Sequence, residues 1–357
     1  MKRFDIAVIP GDGIGREVVP AGCRILDTVA EAHGGFRLRY KSWPWSCAWY
    51  LKHGRMMPDD GLARIGDSDA IYLGAVGFPG VADHISLWGL LIPIRRSFQQ
   101  YACVRPVKLL PGVRSPLAGR GPQDIDFIVV RENNEGEYSS MGGRIYSETP
   151  HEVVTQLNLF TRRGTERIIR YAFDLARRKK KKKVTSATKS NGIIFSMPFW
   201  DEVFWSIARE YPGIAAEQMH IDALSARFVT HPQNFGVVVG SNLFGDILTD
   251  LGAAIAGSIG IGASANLNPE KKFPSMFEPV HGSAPDIVGK GVANPLGQVW
   301  SGAMMLEHLG QPAAAELVMK AMSSVLASGI KTPDLGGRAS TRQVTAAVAK
   351  EVRRLAH

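Results

Sequence analysis

Cysteine is scarce in this chain: Cys23, Cys47 and Cys103 are the only three among 357 residues. An odd count without metal-ligand spacing argues against a disulfide framework and a zinc-type cluster. It predicts reduced thiols in a cytoplasmic protein. Long apolar runs are missing too. The longest uncharged stretch, Leu251 to Pro269, is mostly Gly, Ala, Ser and Asn, unlike a membrane span. Met1-Lys2-Arg3-Phe4-Asp5 leads straight into a short apolar strand, without the apolar core and cleavage site of a signal peptide. There is no internal repeat, and the one low-complexity segment is basic. Acidic residues fall short of basic ones, 33 against 42, leaving a net charge of +9.

A basic balance suits either nucleic acid or small anions drawn into a cleft. Much of the excess is one block, Arg177-Arg178-Lys179-Lys180-Lys181-Lys182-Lys183. It lies between a helical pattern and a strand-like segment, and cations at a helix C-terminus complement the helix dipole. No aromatic residues interleave with it, as a single-strand binding groove requires. Nucleic acid is therefore the weaker reading. The remaining composition, 45% hydrophobic and 21% charged, is that of a globular chain long enough for two core-bearing lobes.

Apolar strands and helical patterns alternate from end to end, which predicts an α/β fold. Ile6–Ile9, Ala70–Gly74, Phe127–Val130, Val184–Thr188 and Gly236–Gly240 read as strands. Helical periodicity covers Glu17–Ala32, Arg167–Arg178, Ser196–Glu210 and Val299–His308. Residues 250 to 261 read as a closely packed buried helix. Between Ile145 and Leu159, β-branched and polar residues mix, as in a hairpin or extended arm.

The most informative segment is Gly245-Asp246-Ile247-Leu248-Thr249-Asp250. On a helix Asp246 and Asp250 are i,i+4 neighbours, so both carboxylates leave one face. They follow the strand Gly236–Gly240, and open α/β sheets bind ligands at such strand ends. Paired carboxylates there suit Mg²⁺ or Mn²⁺; a solvated helix face is the plainer alternative. Gly11-Asp12-Gly13-Ile14-Gly15 follows the first strand but is not a dinucleotide fingerprint. The glycine it needs at 16 or 18 is Arg16 or Val18, so a tight strand-to-helix turn is the better reading. Arg95, Arg105 and Arg131 end or follow such elements and could together hold a dicarboxylate, if they converge; ordinary salt bridging is as good an explanation from spacing alone. Lys189 is a candidate general base and Tyr138 a candidate acid. The polar loop from Phe277 through His281 to Asp286 could receive a ribose diol, or be plain surface.

At these residues the chain resembles the β-decarboxylating dehydrogenases, the isopropylmalate, isocitrate, homoisocitrate, tartrate and D-malate enzymes. The carrying motifs are Asn242-Leu243-Phe244-Gly245-Asp246-Ile247-Leu248-Thr249-Asp250, Glu278-Pro279-Val280-His281-Gly282-Ser283-Ala284-Pro285-Asp286 and Ala293-Asn294-Pro295. The resemblance runs from Ile9 to Leu306. It implies the isopropylmalate/isocitrate dehydrogenase-like two-domain α/β fold, which is not Rossmann. One domain would comprise residues 1–101 with 257–357 and bind the cofactor. The other, residues 102–256, would carry substrate, metal, the dimer contact and an extended arm. The resemblance also implies a homodimer with shared sites. Asp246 and Asp250 match the metal-binding aspartates, with Asp222 contributed from the partner subunit. Arg95, Arg105 and Arg131 match the carboxylate-holding arginines. Tyr138 and Lys189 match the catalytic pair, Lys189 also reaching across the dimer. His281, Gly282, Ser283, Ala284 and Asn294 match the adenosine loop, Asn191 the nicotinamide side, and Asp286 the ribose acceptor that favours NAD over NADP. The implied chemistry is loss of the C2 hydroxyl proton to Lys189, directly or relayed through Asp222. Hydride then leaves C2 for NAD, the β-carboxylate departs as CO₂, and Tyr138 returns a proton.

Trp88 precedes Arg95 by seven residues, two helical turns, so it is expected on that arginine's face, beside the substrate's C3 substituent. A large residue there resembles the tartrate and D-malate branch, as do Glu135-Gly136-Glu137-Tyr138-Ser139-Ser140 and Trp300-Ser301-Gly302. Pro93 inside the same segment predicts a kink. Asn134 stands where the family usually has Thr. The alternatives are a 3-isopropylmalate enzyme and a catalytically silent regulatory subunit. The presence of Tyr138, Lys189 and all three aspartates weighs against the silent subunit. Spacing ranks neither Mg²⁺ against Mn²⁺ nor the need for K⁺, and it leaves the lysine run without a function.

Overall fold

The computed structural model describes residues 1–356. In chain order the elements begin with β1 (Lys2–Gly11), α1 (Gly15–His33), β2 (Phe36–Ser42), α2 (Cys47–His53), α3 (Gly61–Gly66) and β3 (Ala70–Ala75). Next come α4 (Asp83–Ser86), a π-helical turn at Leu87–Leu91, α5 (Ile92–Ser97), β4 (Ala102–Lys108), β5 (Asp126–Glu132), β6 (Gly142–Ile145) and β7 (Val153–Gln156). α6 (Arg162–Arg178), β8 (Lys183–Thr188), α7 (Ser196–Ala208), β9 (Ala215–His220), α8 (Ile221–Thr230) and β10 (Val237–Gly240) follow. The chain ends through α9 (Asn242–Ile255), β11 (Ala263–Leu267), β12 (Ser275–Pro279), α10 (Leu296–His308), α11 (Pro312–Ala327) and α12 (Thr341–Ala356).

Ten strands form one sheet in the order β2-β1-β3-β12-β11-β4-β5-β10-β8-β9. The two ends are parallel, while β12-β11-β4-β5 pair antiparallel in the middle. This is not the order of a Rossmann sheet. Strand periodicity explains how one sheet supports two cores. In β1, Ile6 and Val8 join a core built with α1, α10 and α12. Ala7 and Ile9 point the other way, into a second core with Trp45, Leu90 and Ile94. Every residue of β3, β10 and β12 is buried, as strands covered on both faces require.

The expected helices form, with adjusted ends. The helix predicted over 250–261 instead begins at Asn242, takes in the aspartate pair, and ends at Ile255. Gly257 stops it by adopting φ +108, a conformation open to glycine and strained for other residues. The arm is present as β6 and β7, a two-stranded antiparallel sheet whose eight residues are all exposed. The predicted tight turn at Gly11–Gly15 also forms. Gly13, at φ +52, lies so close to the loop that follows β12 that a Cβ would sit 2.0 Å from the Ser283 carbonyl oxygen. The three cysteines are free thiols, Cys47 and Cys103 buried. No described helix is long and apolar enough to cross a membrane.

Candidate active site

Arg131 is the last residue but one of β5, and its side chain is buried against α9. Its Nε and Nη2 donate to Asn242 Oδ1 at 3.1 and 2.6 Å, and Nη1 donates to Asp246. α9 reaches it because Gly245 has no side chain: a Cβ there would lie 2.5 Å from Arg131 Cβ. Arg105, on neighbouring β4, donates from Nη1 to Thr249 Oγ1 at 2.6 Å and to Asp246 at 3.4 Å. The same nitrogen is 3.8 Å from Asp250, and Nε donates to Ser264 at 3.3 Å. Two guanidinium groups thus converge on one aspartate.

Tyr138 completes that convergence, donating its hydroxyl to Asp246 Oδ2 at 2.8 Å. Its position follows from the residue before it. Glu137 accepts from the Ser241 hydroxyl at 2.7 Å and from the Leu243 N–H at 3.0 Å, capping the start of α9 from outside. Arg95 leaves α5 to meet buried Glu278, donating from Nη2 at 2.8 Å. Glu278 also accepts from Asn266 at 2.8 Å, and the buried Arg95 Nε has no partner among the described residues.

The electrostatics are consistent with this crowding. Burial opposes ionisation of Asp246, but Arg131 and Arg105 together hold its pKa below the usual carboxylate range. Burial raises the pKa of Asp250, and the neighbouring Asp246 charge raises it further against the pull of Arg105. Burial and Asp246 likewise raise the Tyr138 hydroxyl. All three groups therefore feel one shared field.

Lys189 and Asp222 sit elsewhere. Lys189 Nζ donates to Asp222 Oδ1 at 2.8 Å, and this contact lowers the Asp222 pKa. Asn191 is exposed on the turn just past Lys189. Within one chain Asp222 does not join Asp246 and Asp250, and among the described residues no three acidic, His or Cys side chains form a metal-sized group.

The loop after β12 brings His281, Gly282, Ser283, Ala284 and Asp286 beside the Gly11–Gly15 turn, where the Ile14 N–H donates to Ser283 O at 2.9 Å. His281 is buried with Nε2 unpartnered, Gly282 has open space where a Cβ would go, and Asp286 is exposed. Asn294 is buried and donates to Asp334 at 2.9 Å.

Trp88 departs from expectation. Its ring lies under the Arg96 guanidinium at 5.0 Å, while Arg95 turns inward to Glu278. The cause is the π-helical turn at Leu87–Leu91, where the Ile92 N–H bonds back to Leu87 O. One extra residue per turn moves the shared face from position 95 to position 96. Pro93 falls in the first turn of α5, directly after this insertion. Sequence reasoning also missed Glu137, Asn242, Thr249, Ser264 and Glu278 as supports of the site. Glu137, Asn242, Thr249 and Glu278 stand inside quoted motifs, and that was the available signal.

Comparison with known proteins agrees with this architecture. Residues 5–352 match the family described as isocitrate/isopropylmalate dehydrogenase. The chain is 56% identical over 361 residues to "D-malate dehydrogenase [decarboxylating]" of Escherichia coli (strain K12), covering 99% of this chain and 100% of that protein. It is 56% identical over 360 residues to "Tartrate dehydrogenase/decarboxylase" of Pseudomonas putida, covering 99% and 98%. The crystal structure of isocitrate dehydrogenase from Methylococcus capsulatus superposes with a TM-score of 0.87 at 36% identity, covering 99% of this chain and 100% of that one. With the match running over nearly its whole length and relatives at 56% identity, this chain belongs to the isocitrate/isopropylmalate dehydrogenase family.

Proposed function

We propose that this chain oxidises and decarboxylates a small 2-hydroxy dicarboxylate, tartrate or D-malate, using NAD and Mg²⁺ or Mn²⁺. The observation that carries the reading is the meeting of Arg105, Arg131 and Tyr138 on Asp246, with Asp250 alongside. The names of the Escherichia coli and Pseudomonas putida relatives favour these two substrates.

The residues fit both groups the reaction requires. Asp246 and Asp250 are hard oxygen donors whose mutual repulsion contributes to the raised pKa of Asp250, a strain that a divalent cation relieves. The unpartnered Nε2 of His281, the open face of Gly282 and the exposed Asp286 carboxylate suit an adenosine and its ribose. When bound, the cation supplies positive charge for an ionising hydroxyl and NAD accepts hydride. Arg95, Arg105 and Arg131 hold the substrate carboxylates. Lys189 accepts the hydroxyl proton, and Asp222, 2.8 Å away, is placed to relay it. Tyr138, a phenol protonated at neutral pH, is placed to donate to the product carbon.

Lys189 and Asp222 serve this chemistry across a homodimer, each completing the neighbouring subunit's site. A fully exposed β6–β7 arm and the exposed side chains of Ile194, Phe195 and Ile247 support such a partner. We take residues 1–101 with 257–357 and residues 102–256 as two lobes meeting where β11 pairs with β4. Free thiols in a chain of this kind suit the cytoplasm. The alternative substrate is 3-isopropylmalate. It gains weight because Trp88 is engaged by Arg96 and does not stand beside Arg95.

NADH formation with Mn²⁺, compared across D-malate, L-tartrate, meso-tartrate and 3-isopropylmalate, tests the reading. Turnover of D-malate or tartrate, abolished by chelation, is the expected result. A preference for 3-isopropylmalate overturns the substrate assignment. No turnover with any of the four moves the chain to a silent regulatory role.

A further inference from the structure

The sheet has a second cleft, behind the site. It is a cavity of about 660 Å³ lined by β4, β5, β11 and β12 and walled by α6 and α10. Strand alternation fixes which face it occupies. In β4, Arg105 points to the site, while Val104, Pro106 and Lys108 line the cleft. In β11, Ser264 and Asn266 serve Arg105 and Glu278, while Ala265 and Leu267 line the cleft. In β12, Glu278 faces Arg95 and Phe277 faces the cleft. The four strands that hold the site's arginines thus have this cavity on their reverse side.

Its chemistry is two-part. The interior is apolar, with Ile128, Leu175, Phe277, Trp300 and Met304. The rim is basic: Lys108, Arg178, Lys179, Lys181 and Lys271 stand against only Asp126 and Glu307. The lysine run is what builds this rim. Lys179 pairs with Glu307 on α10, spanning the cleft from one wall to the other. Lys181 bonds the Asp126 carbonyl at 2.7 Å and its carboxylate at 2.9 Å. Lys183 pairs with Glu217 at 2.9 Å, outside the cleft. Asp126 is shared by Lys181 and Lys108, the latter at 3.4 Å, so the rim carries more positive charge than its carboxylates neutralise.

We propose that this rear cleft is a binding site for a small aromatic anion, its flat body on the apolar interior and its negative group on the basic rim. The volume falls within the roughly 300–1,000 Å³ typical of small-molecule sites. An apolar surface alone would accept any hydrophobe; the surplus of cations at the mouth selects a carboxylate, sulfonate or phosphate.

The test is a fluorescence titration with anilinonaphthalene sulfonate, an aromatic anion, in the presence of saturating NAD. Two variants accompany the native protein: the Lys108→Gln, Arg178→Gln double variant, which removes rim charge, and Met304→Trp, which fills the interior. The expected result is one saturable site, weakened roughly tenfold or more by the charge variant, a change of about 1.4 kcal/mol in binding. Met304→Trp should abolish it; if that variant does not fold, the charge variant decides alone. Affinity unchanged by loss of rim charge overturns the proposal. So does the absence of a saturable site while NAD is saturating, or equal binding of uncharged phenylnaphthylamine. Because the readout is binding, it stands or falls separately from the dehydrogenase assay.

Discussion

Glu132, the last residue of β5, is buried beside the site. Its Oε2 accepts from the N–H groups of Asn134 and Glu135 at 2.9 and 2.6 Å, while Oε1 lies 3.7 Å from Arg167. Burial outweighs these contacts and raises its pKa from 4.5 to about 7. As pH rises from about 4.5 to about 7, the folded protein keeps a proton that the unfolded chain has released. Stability from this group is therefore greatest at the acid end and is lost across that window. Glu132→Gln should flatten this part of the Tm-versus-pH curve and raise Tm relative to the native protein on the alkaline side. Parallel curves for the two proteins would show that Glu132 ionises normally. Arg105 tests recognition instead. Lysine cannot reproduce its fork to Thr249, Ser264 and Asp246, so Arg105→Lys should raise the KM for the dicarboxylate by roughly tenfold to a hundredfold. An unchanged KM would remove Arg105 from the substrate site.

At the scale of elements, the site depends on how closely α9 packs on β5. Gly245→Ala places a methyl 2.5 Å from Arg131 Cβ and 3.0 Å from its Cα, atoms that cannot swing aside as a flexible side-chain end would. Overpacking of this kind costs about 1–3 kcal/mol. It would also move Asp246 relative to Arg131 and Tyr138. The expected outcome is a lower Tm by thermal denaturation together with a fall in kcat; a variant with native values in both would show that α9 can shift freely. The π-helical turn before α5 is a second such device. By adding one residue to a turn it presents Arg96 to Trp88 and frees Arg95 for Glu278.

For the whole molecule, the arm and the Lys189–Asp222 pair make the proposed homodimer a condition of activity. Val154→Glu on β7 combined with Phe195→Glu places charge on two exposed apolar positions without touching a buried one. Sedimentation should then show monomers, and NADH formation should fall by orders of magnitude, as is expected when a site loses groups supplied by its partner. A monomer that retains full activity would mean that each chain completes its own site.

The one-dimensional pattern was enough to identify the α/β class, the strands at 6–9, 127–130 and 236–240, and the residues with chemistry to offer. Alternation and helical periodicity are local, and motifs such as Gly245–Asp250 carry their spacing with them. What it could not supply was contact between residues far apart in the chain. Arg105 meets Thr249 across 144 positions and Arg95 meets Glu278 across 183. Those meetings follow from the strand order, above all from β11 and β12 returning to lie between β3 and β4. The same folding turned a run of lysines, alike in sequence, into residues with different partners: Lys179 on α10, Lys181 on β5 and Lys183 on β9. Residue types and local geometry were set by the sequence. Which charges face one another, and on which side of the sheet, was decided only when the strands paired, because each strand sends alternate side chains to opposite faces.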